Sequence, residues 1–392
     1  MITTKNAVFL AFLLCSSIIV GQEEPNSQQV IEVEYRGEIV DRSTGDPIPY
    51  VNVGIMGARM GTVSNSKGIF RLILDDPSKY ENKNLLISCL GYEPKEIPVN
   101  ALPKVFDGFP KILLEPKVYA LDEITVSNLD GDFVNQRLGY RNSGEQVFGY
   151  WIGDTGLGAE LATRIIARKG KRKLKTLEFE VWHITADSVQ VRVNIYASNN
   201  KKGGIPGENL NTSQQNILYT ITKDTRIGRV DLSDYHIFVE NDFFVSLELL
   251  GMFGGDEIEL ILAGTLSRPG SFRKYVSMDR WERLSYSMAY RVQTEYWAEG
   301  RALRRAERKV ARLEKTNRYV SGFVLEMGRP ISNVKVSNTQ SKEVTITDEN
   351  GKYRILAKTD DVLHFTRSGF AERYKRVEEK PTVNVSLVRE AR

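Results

Sequence analysis

The alternation of apolar and polar positions divides the chain into three β-rich stretches and one helical one. Between about Val33 and Glu115 the apolar runs are short and punctuated by turn residues, as in a small sandwich. Tyr35 to Val40 reads as a strand, and Asp41 to Pro49 as a turn rich in Gly, Pro, Ser and Asp. Val51, Val53 and Ile55 then alternate with Asn52 and Gly54, the period of a half-buried strand. Thr62 to Ser64 and Ile69 to Leu74 flank Asn65-Ser66-Lys67-Gly68, which has the composition of a hairpin turn. Leu85 to Leu90 reads as a buried strand ending at Gly91-Tyr92, and Lys111 to Leu114 closes the unit. From Gly144 to Trp297 the ladders are longer. Leu177, Phe179 and Val181 alternate with Glu178, Glu180 and Trp182, and Val189, Val191, Val193 and Ile195 with Gln190, Arg192, Asn194 and Tyr196. Phe243 to Leu249 and Ile258 to Leu262 repeat the pattern, which predicts a jelly-roll-like antiparallel β-sandwich. Ala298 to Arg318 changes period. Ala302, Leu303, Ala306, Val310 and Leu313 fall at helical spacing among many Arg and Lys, which predicts one amphipathic connector helix.

The first stretch returns near the other end of the chain. Pro47 matches Pro330, an offset of 330 − 47 = 283, and the same offset carries Gly45 to Gly328, Val51 to Val334, Val53 to Val336, Gly68 to Gly351, Phe70 to Tyr353 and Arg71 to Arg354. A gap-free register of that length predicts two copies of one small module. Strands are expected at Phe323 to Leu325, Val334 to Val336, Val344 to Thr347, Tyr353 to Leu356, Val362 to Thr366 and Val383 to Leu387, with Asp348-Glu349-Asn350-Gly351 as the hairpin turn. Gly369-Phe370 answers Gly91-Tyr92 at 369 − 91 = 278, so a loop has shortened while the strands persist.

Composition changes this picture only at the N-terminus. With 392 residues there is room for two or three domains, and 41% hydrophobic and 27% charged residues are ordinary for a globular chain. A net charge of +4 implies no field for nucleic acid. Lys5 followed by the apolar run Ala7 to Val20 reads as a signal peptide over residues 1–21, cut after Gly21, with an uncleaved anchor as the other reading. Cys15 raises lipidation, but Leu14 stands before it where a small residue is wanted. Cys89 is then the sole cysteine of the exported chain and is expected to pack as a small hydrophobe.

Gly37-x-Ile39-x-Asp41, Thr44-Gly45-Asp46-Pro47-Ile48, Val51-x-Val53, Gly61-Thr62, Gly68-x-Phe70 and Gly91-Tyr92, in that order, resemble the carboxypeptidase regulatory-like domain. Gly322, Pro330-Ile331, Thr347 to Tyr353 and Gly369-Phe370 resemble it again. The resemblance implies a transthyretin-like β-sandwich in both places, an accessory module without an active site of its own. The segment Leu121, Asp122, Glu123, Ile124, Thr125, Val126 is similar to one that follows this domain in TonB-dependent outer-membrane receptors of gram-negative bacteria. The rest of the chain is too short for a receptor barrel, so the resemblance implies the same envelope setting rather than transport.

Chemistry has little to build on. His183, His236 and His364 are the only histidines, and none begins an H-x-x-E or H-E-x-x-H arrangement. There is no G-x-S-x-G elbow. Gly153-Asp154-Thr155-Gly156 carries an aspartic-protease tripeptide, but it occurs once and within Gly149 to Gly158, which reads as a Gly-rich loop. Asp348 to Gly351 offers too few oxygens for calcium and is explained as a turn. The best ligand-binding candidates are aromatics: Trp182 and Tyr196 on the polar sides of their strands, Trp151 and Trp281 in polar surroundings. Burial beneath a second layer would make the same residues core. The basic helix is expected to be a solvated spacer.

The expected organisation is a signal peptide over 1–21, a sandwich over 33–116, a linker over 117–143 holding the Leu121 to Val126 candidate docking strand, a central sandwich over 144–297, a helix over 298–318 and a second small sandwich over 319–389. The expected function is an exported, non-catalytic modular protein of the bacterial envelope, periplasmic or attached to the outer membrane, that binds a glycan, peptide or protein partner without a cofactor. An accessory of a TonB-dependent uptake system is the first alternative, and an enzyme with an unrecognised site the second.

Overall fold

The computed structural model describes residues 32–117, 131–153, 155–167, 170–199, 204–255, 257–267, 270–314 and 318–390. The expected signal peptide and the segment Leu121 to Val126 lie outside them. Three β-units follow one another, each with its own apolar core.

In the first unit, strand Glu32–Asp41 lies between Ile69–Asp75, antiparallel, and Lys111–Leu114, parallel. The facing sheet runs Met60–Val63, Asn52–Ile55, Asn84–Ser88, Lys95–Pro98. Ile39, Val53, Phe70, Leu72 and Ile87 fill the space between, because period-two strands put those positions on one face. Asn65 to Gly68 is a tight turn, but its flanking strands belong to different sheets. The expected hairpin is therefore a crossover between layers, and the turn residues specified only the reversal.

The last unit repeats this wiring. Strand Arg318–Glu326 lies between Lys352–Ala357, antiparallel, and Val385–Ser386, parallel, and the facing sheet runs Val344–Ile346, Lys335–Asn338, Val362–Thr366, Arg373–Arg376. Hydrogen bonds repeat at the sequence offset too. The Ser64 hydroxyl accepts from Val51 N–H at 2.8 Å and donates to the Ile48 carbonyl at 3.4 Å; the Thr347 hydroxyl accepts from Val334 N–H at 2.9 Å and donates to the Ile331 carbonyl at 2.8 Å.

The middle unit has two sheets around the largest core. One runs Pro206–Asn209, Ser188–Ser198, Phe243–Phe253, Glu160–Ile165, Ser271–Lys274, Glu282–Arg283, with Ile217–Thr222 also paired to Ser188–Ser198. The other is centred on Arg172–Ile184, between Glu259–Thr265 and Arg291–Glu299, and ends at Gly131–Gly139. That last strand pairs with Arg291–Glu299 over nine residues, so residues 131–139 of the expected linker are sheet. Its alternation is weak, with Val134 and Leu138 as its buried apolar positions.

The helix Gly300–Glu314 follows directly on strand Arg291–Glu299. Leu303 and Ala306 are half-buried while Val310 is exposed, so its apolar contact is small. Among the described residues no helix is long and apolar enough to cross a membrane.

Candidate functional site

The terminal units cover opposite outer faces of the central sandwich, which decides what its outward side chains can do. On the first face, strand alternation sends Arg192, Asn194 and Tyr196 outward beside Glu160, Ser246 and Glu248. Arg192 donates to Glu248 at 2.9 and 2.8 Å, to Asn216 at 3.1 Å and to the Tyr50 carbonyl of the first unit at 2.7 Å. Asn194 bridges Glu160 at 3.0 Å and Glu248 at 2.7 Å, and Ser246 and Lys274 (3.3 Å) also donate to Glu160. Two buried carboxylates therefore meet two cations and several fixed neutral donors. Such a network holds the layers in register but leaves neither carboxylate free for proton transfer. Burial raises Arg192's cost as a charge, yet Glu248 beside it lifts its pKa above the ordinary value.

Tyr196 belongs to this network. Its hydroxyl donates to Glu160 at 2.8 Å, its ring meets Trp281 edge-on at 5.9 Å, and Lys274 lies 4.1 Å from the Trp281 ring centre. Burial, followed by the Glu160 charge, pushes the phenol well above its usual range. Trp182 lies on the opposite face, with Arg373 4.7 Å from its ring centre and Phe148 6.5 Å away. Trp151 lies in the central core and is fully buried. Its expected polar surroundings are corrected by the strand Phe148–Ile152, which turns Gly149 and Trp151 inward and Phe148, Tyr150 and Ile152 outward. The same strand replaces the first part of the expected Gly-rich loop; Asp154 lies outside the described residues. The four aromatics therefore do not converge.

A different row does. Phe148 and Tyr150, 40% and 37% exposed, stand side by side with ring centres 6.1 Å apart. The Arg273 guanidinium lies 4.9 Å from the Tyr150 ring and 4.4 Å from that of Tyr275, and Arg59 of the first unit lies 4.8 Å from Tyr275. Arg273 also donates to the Tyr150 carbonyl at 3.1 Å. Trp182, Phe148, Tyr150, Arg273, Tyr275 and Arg59 thus form a ridge running from one seam to the other, in which Arg273 is itself buried. Sequence reading missed it because its members come from four separate segments. The alternation in 148–152 was the available signal.

The histidines are apart. His183 lies 3.6 Å from Glu259, His364 stacks on Tyr374 at 4.1 Å and meets Glu372 at 3.0 Å, and His236 meets the Asp234 carbonyl at 2.7 Å. Among the described residues no group of three His, Cys, Asp or Glu is placed to hold a metal. Asp348 Oδ1 accepts from the backbone N–H groups of Asn350 and Lys352 at 2.9 and 2.8 Å, which is turn geometry. Cys89 is half-buried, and burial raises its thiol pKa, so it is a poor nucleophile.

The model of the CarboxypepD_reg-like domain matches residues 35–126. The TonB-dependent receptor SusC of Bacteroides thetaiotaomicron is 32% identical over 88 residues, which are 22% of this chain and 8% of the receptor. The chain therefore spans less than a tenth of that relative's length. Among solved structures, the cysteine protease and lectin-like domains of Cwp84, a surface layer associated protein of Clostridium difficile, align over 38% of this chain and 36% of theirs at 11% identity and a TM-score of 0.26. The major pilin subunit BcpA of Bacillus cereus aligns over 92% and 100% at 7% identity and a TM-score of 0.15. Scores so low carry no argument. The first β-unit of this mainly β protein is a CarboxypepD_reg-like domain, a regulatory and non-catalytic kind of module.

Proposed function

We propose that this chain is an exported, non-catalytic scaffold of the bacterial envelope whose central sandwich presents the Phe148 ridge to a protein partner, with a component of a TonB-dependent system as that partner. The observation that carries the reading is the ridge itself. Its Trp182, Phe148 and Tyr150 rings lead into Tyr150 and Tyr275 alternating with the Arg273 and Arg59 guanidiniums, and Trp, Tyr and Arg are the side-chain types that dominate protein–protein hot spots. Arg273 already lies against Tyr150 and Tyr275, so those faces are not open for a sugar ring to stack on, which favours a protein over a glycan. The partial likeness to SusC supports an envelope setting. The repeated hydrogen bonds of Ser64 and Thr347 support reading residues 319–389 as a second domain of the same kind.

The test is co-purification of the full chain with TonB-dependent receptors from outer-membrane extracts. Phe148→Ala with Tyr150→Ala should abolish it, and Trp281→Ala on the other side of the sandwich should not. Undiminished capture by the double variant would remove the ridge from the account. Turnover of a peptidase substrate panel would overturn the non-catalytic reading, and deletion of residues 121–126 separates docking by that segment from docking by the ridge.

A further inference from the structure

The seam between the central sandwich and the last unit holds a small cleft of about 70 Å³, open to solvent. Its walls are the turn after strand Gly131–Gly139, the outer faces of Arg172–Ile184 and Arg291–Glu299, and the segment 375–384. With the recess that continues it, the cleft is lined by six basic side chains and three carboxylates. The carboxylates are all engaged. Glu178 accepts from Arg376 at 2.9 Å and Glu180 from Lys375 at 2.5 Å. Glu378 serves two guanidiniums at once, Arg291 at 3.0 Å and Arg141 at 3.8 Å. Arg137 turns away to Asp360, and Arg229 stands at the recess without a direct ion pair among the described residues.

Positive charge is therefore in excess here: Arg141 and Arg291, which share one carboxylate, are half-buried, where water compensates them poorly, and Arg229 is exposed. Burial, and after it the neighbouring Arg137 and Arg141 charges, hold the Arg291 pKa below its ordinary value although Glu378 opposes them. A fold that needed only to join two units would match its charges, as the seam on the opposite face does with Arg192 and Glu248. The guanidiniums also come from different walls, so their donors suit a compact anion with oxygens pointing in several directions better than a flat carboxylate.

We propose that this cleft is a binding site for a phosphate dianion, either free or as a monoester on a saccharide or a lipid headgroup. The dianion would share Arg141 and Arg291 with Glu378 and draw in Arg229, with the Ser143 hydroxyl and the Asn384 amide, also in the lining, as neutral donors. Nothing in the proposal depends on the ridge or its partner.

Calorimetric titration of the full chain at low ionic strength tests it, with inorganic phosphate, a hexose 1-phosphate, and phosphatidylcholine vesicles doped with phosphatidic acid as three arms. Saturable binding is expected in at least one arm, and the tightest arm names the source of the phosphate. Arg291→Gln should weaken it roughly tenfold, the value of one charge-assisted hydrogen bond. Because Arg291 also ties the seam, Arg229→Gln is the companion variant: its side chain is exposed, the fold does not rest on it, and it should weaken binding several-fold. Absence of saturable binding in all three arms overturns the proposal, as does binding that both variants leave unchanged.

Discussion

Asp41 shows how a single side chain terminates the first strand of the first unit. Its Oδ1 accepts from the Ser43 hydroxyl at 2.5 Å and from the backbone N–H groups of Ser43 and Thr44 at 2.7 and 3.1 Å, and Oδ2 accepts from the Tyr92 hydroxyl at 2.9 Å. These donors, the Ser43 hydroxyl first, hold the carboxyl down at about 2 against an ordinary 3.8. Burial, then the hydrogen bond to Asp41 and the Asp41 charge, push the Tyr92 phenol up to about 12. The sign follows from the depressed carboxyl: its contribution to stability is complete above pH 3.8 and is lost as pH falls through about 2. Carboxyl-carbon NMR titration should place Asp41 in that range, and Tyr92→Phe should move it upward while the Ser43 and Thr44 donors keep it below 3.8. An Asp41 midpoint near 4 in the unmodified chain would sink this account. Asp41 and Gly91-Tyr92 stood out in the sequence as parts of one pattern, but only the fold joined them across 51 residues.

At the scale of elements, the paired signature glycines are explained by backbone conformation. Gly68 and Gly351 have φ of 72° and 69°, and a Cβ on either would lie 2.6 Å from a carbonyl oxygen, that of Ile39 or Val324. Both the left-handed conformation and the missing side chain are needed for the strand that follows to reach the other sheet. Gly68→Ala and Gly351→Ala should each cost about 1–2 kcal/mol from the backbone alone, with more from the clash. Hydrogen exchange should show the loss confined to the unit that carries the substitution, and equal loss in all three units would contradict separate cores. The two matching turns were therefore legible in the sequence as spacing. Whether the turn joined two strands of one sheet or crossed between sheets was not, because turn composition fixes a reversal and leaves open which partners the strands find.

At the scale of the molecule, the units are joined by close backbone approach as well as by charge. A Cβ on Gly61 would lie 2.1 Å from the Ser277 carbonyl oxygen, where the first unit meets the loop after strand Ser271–Lys274. Gly61→Ala should cost about 1–3 kcal/mol as an overpacking substitution. Limited proteolysis should then open the 275–280 loop before either neighbouring core. If cleavage were to begin inside the first unit, this contact would not be what seats it. By itself the sequence determined the mainly β character, most strand positions and the reversals at Gly68 and Gly351, because strand period and positive-φ glycines are local requirements written residue by residue. Only the tertiary structure decided that the outward positions of the central strands are covered on both sides, which drew a half-buried Tyr196 into a network, put Trp182 in a seam, left Phe148 and Tyr150 on the surface and gathered the arginines into one cleft. Alternation tells which way a side chain points from its sheet, and only the packing of units tells whether water or another layer is waiting there.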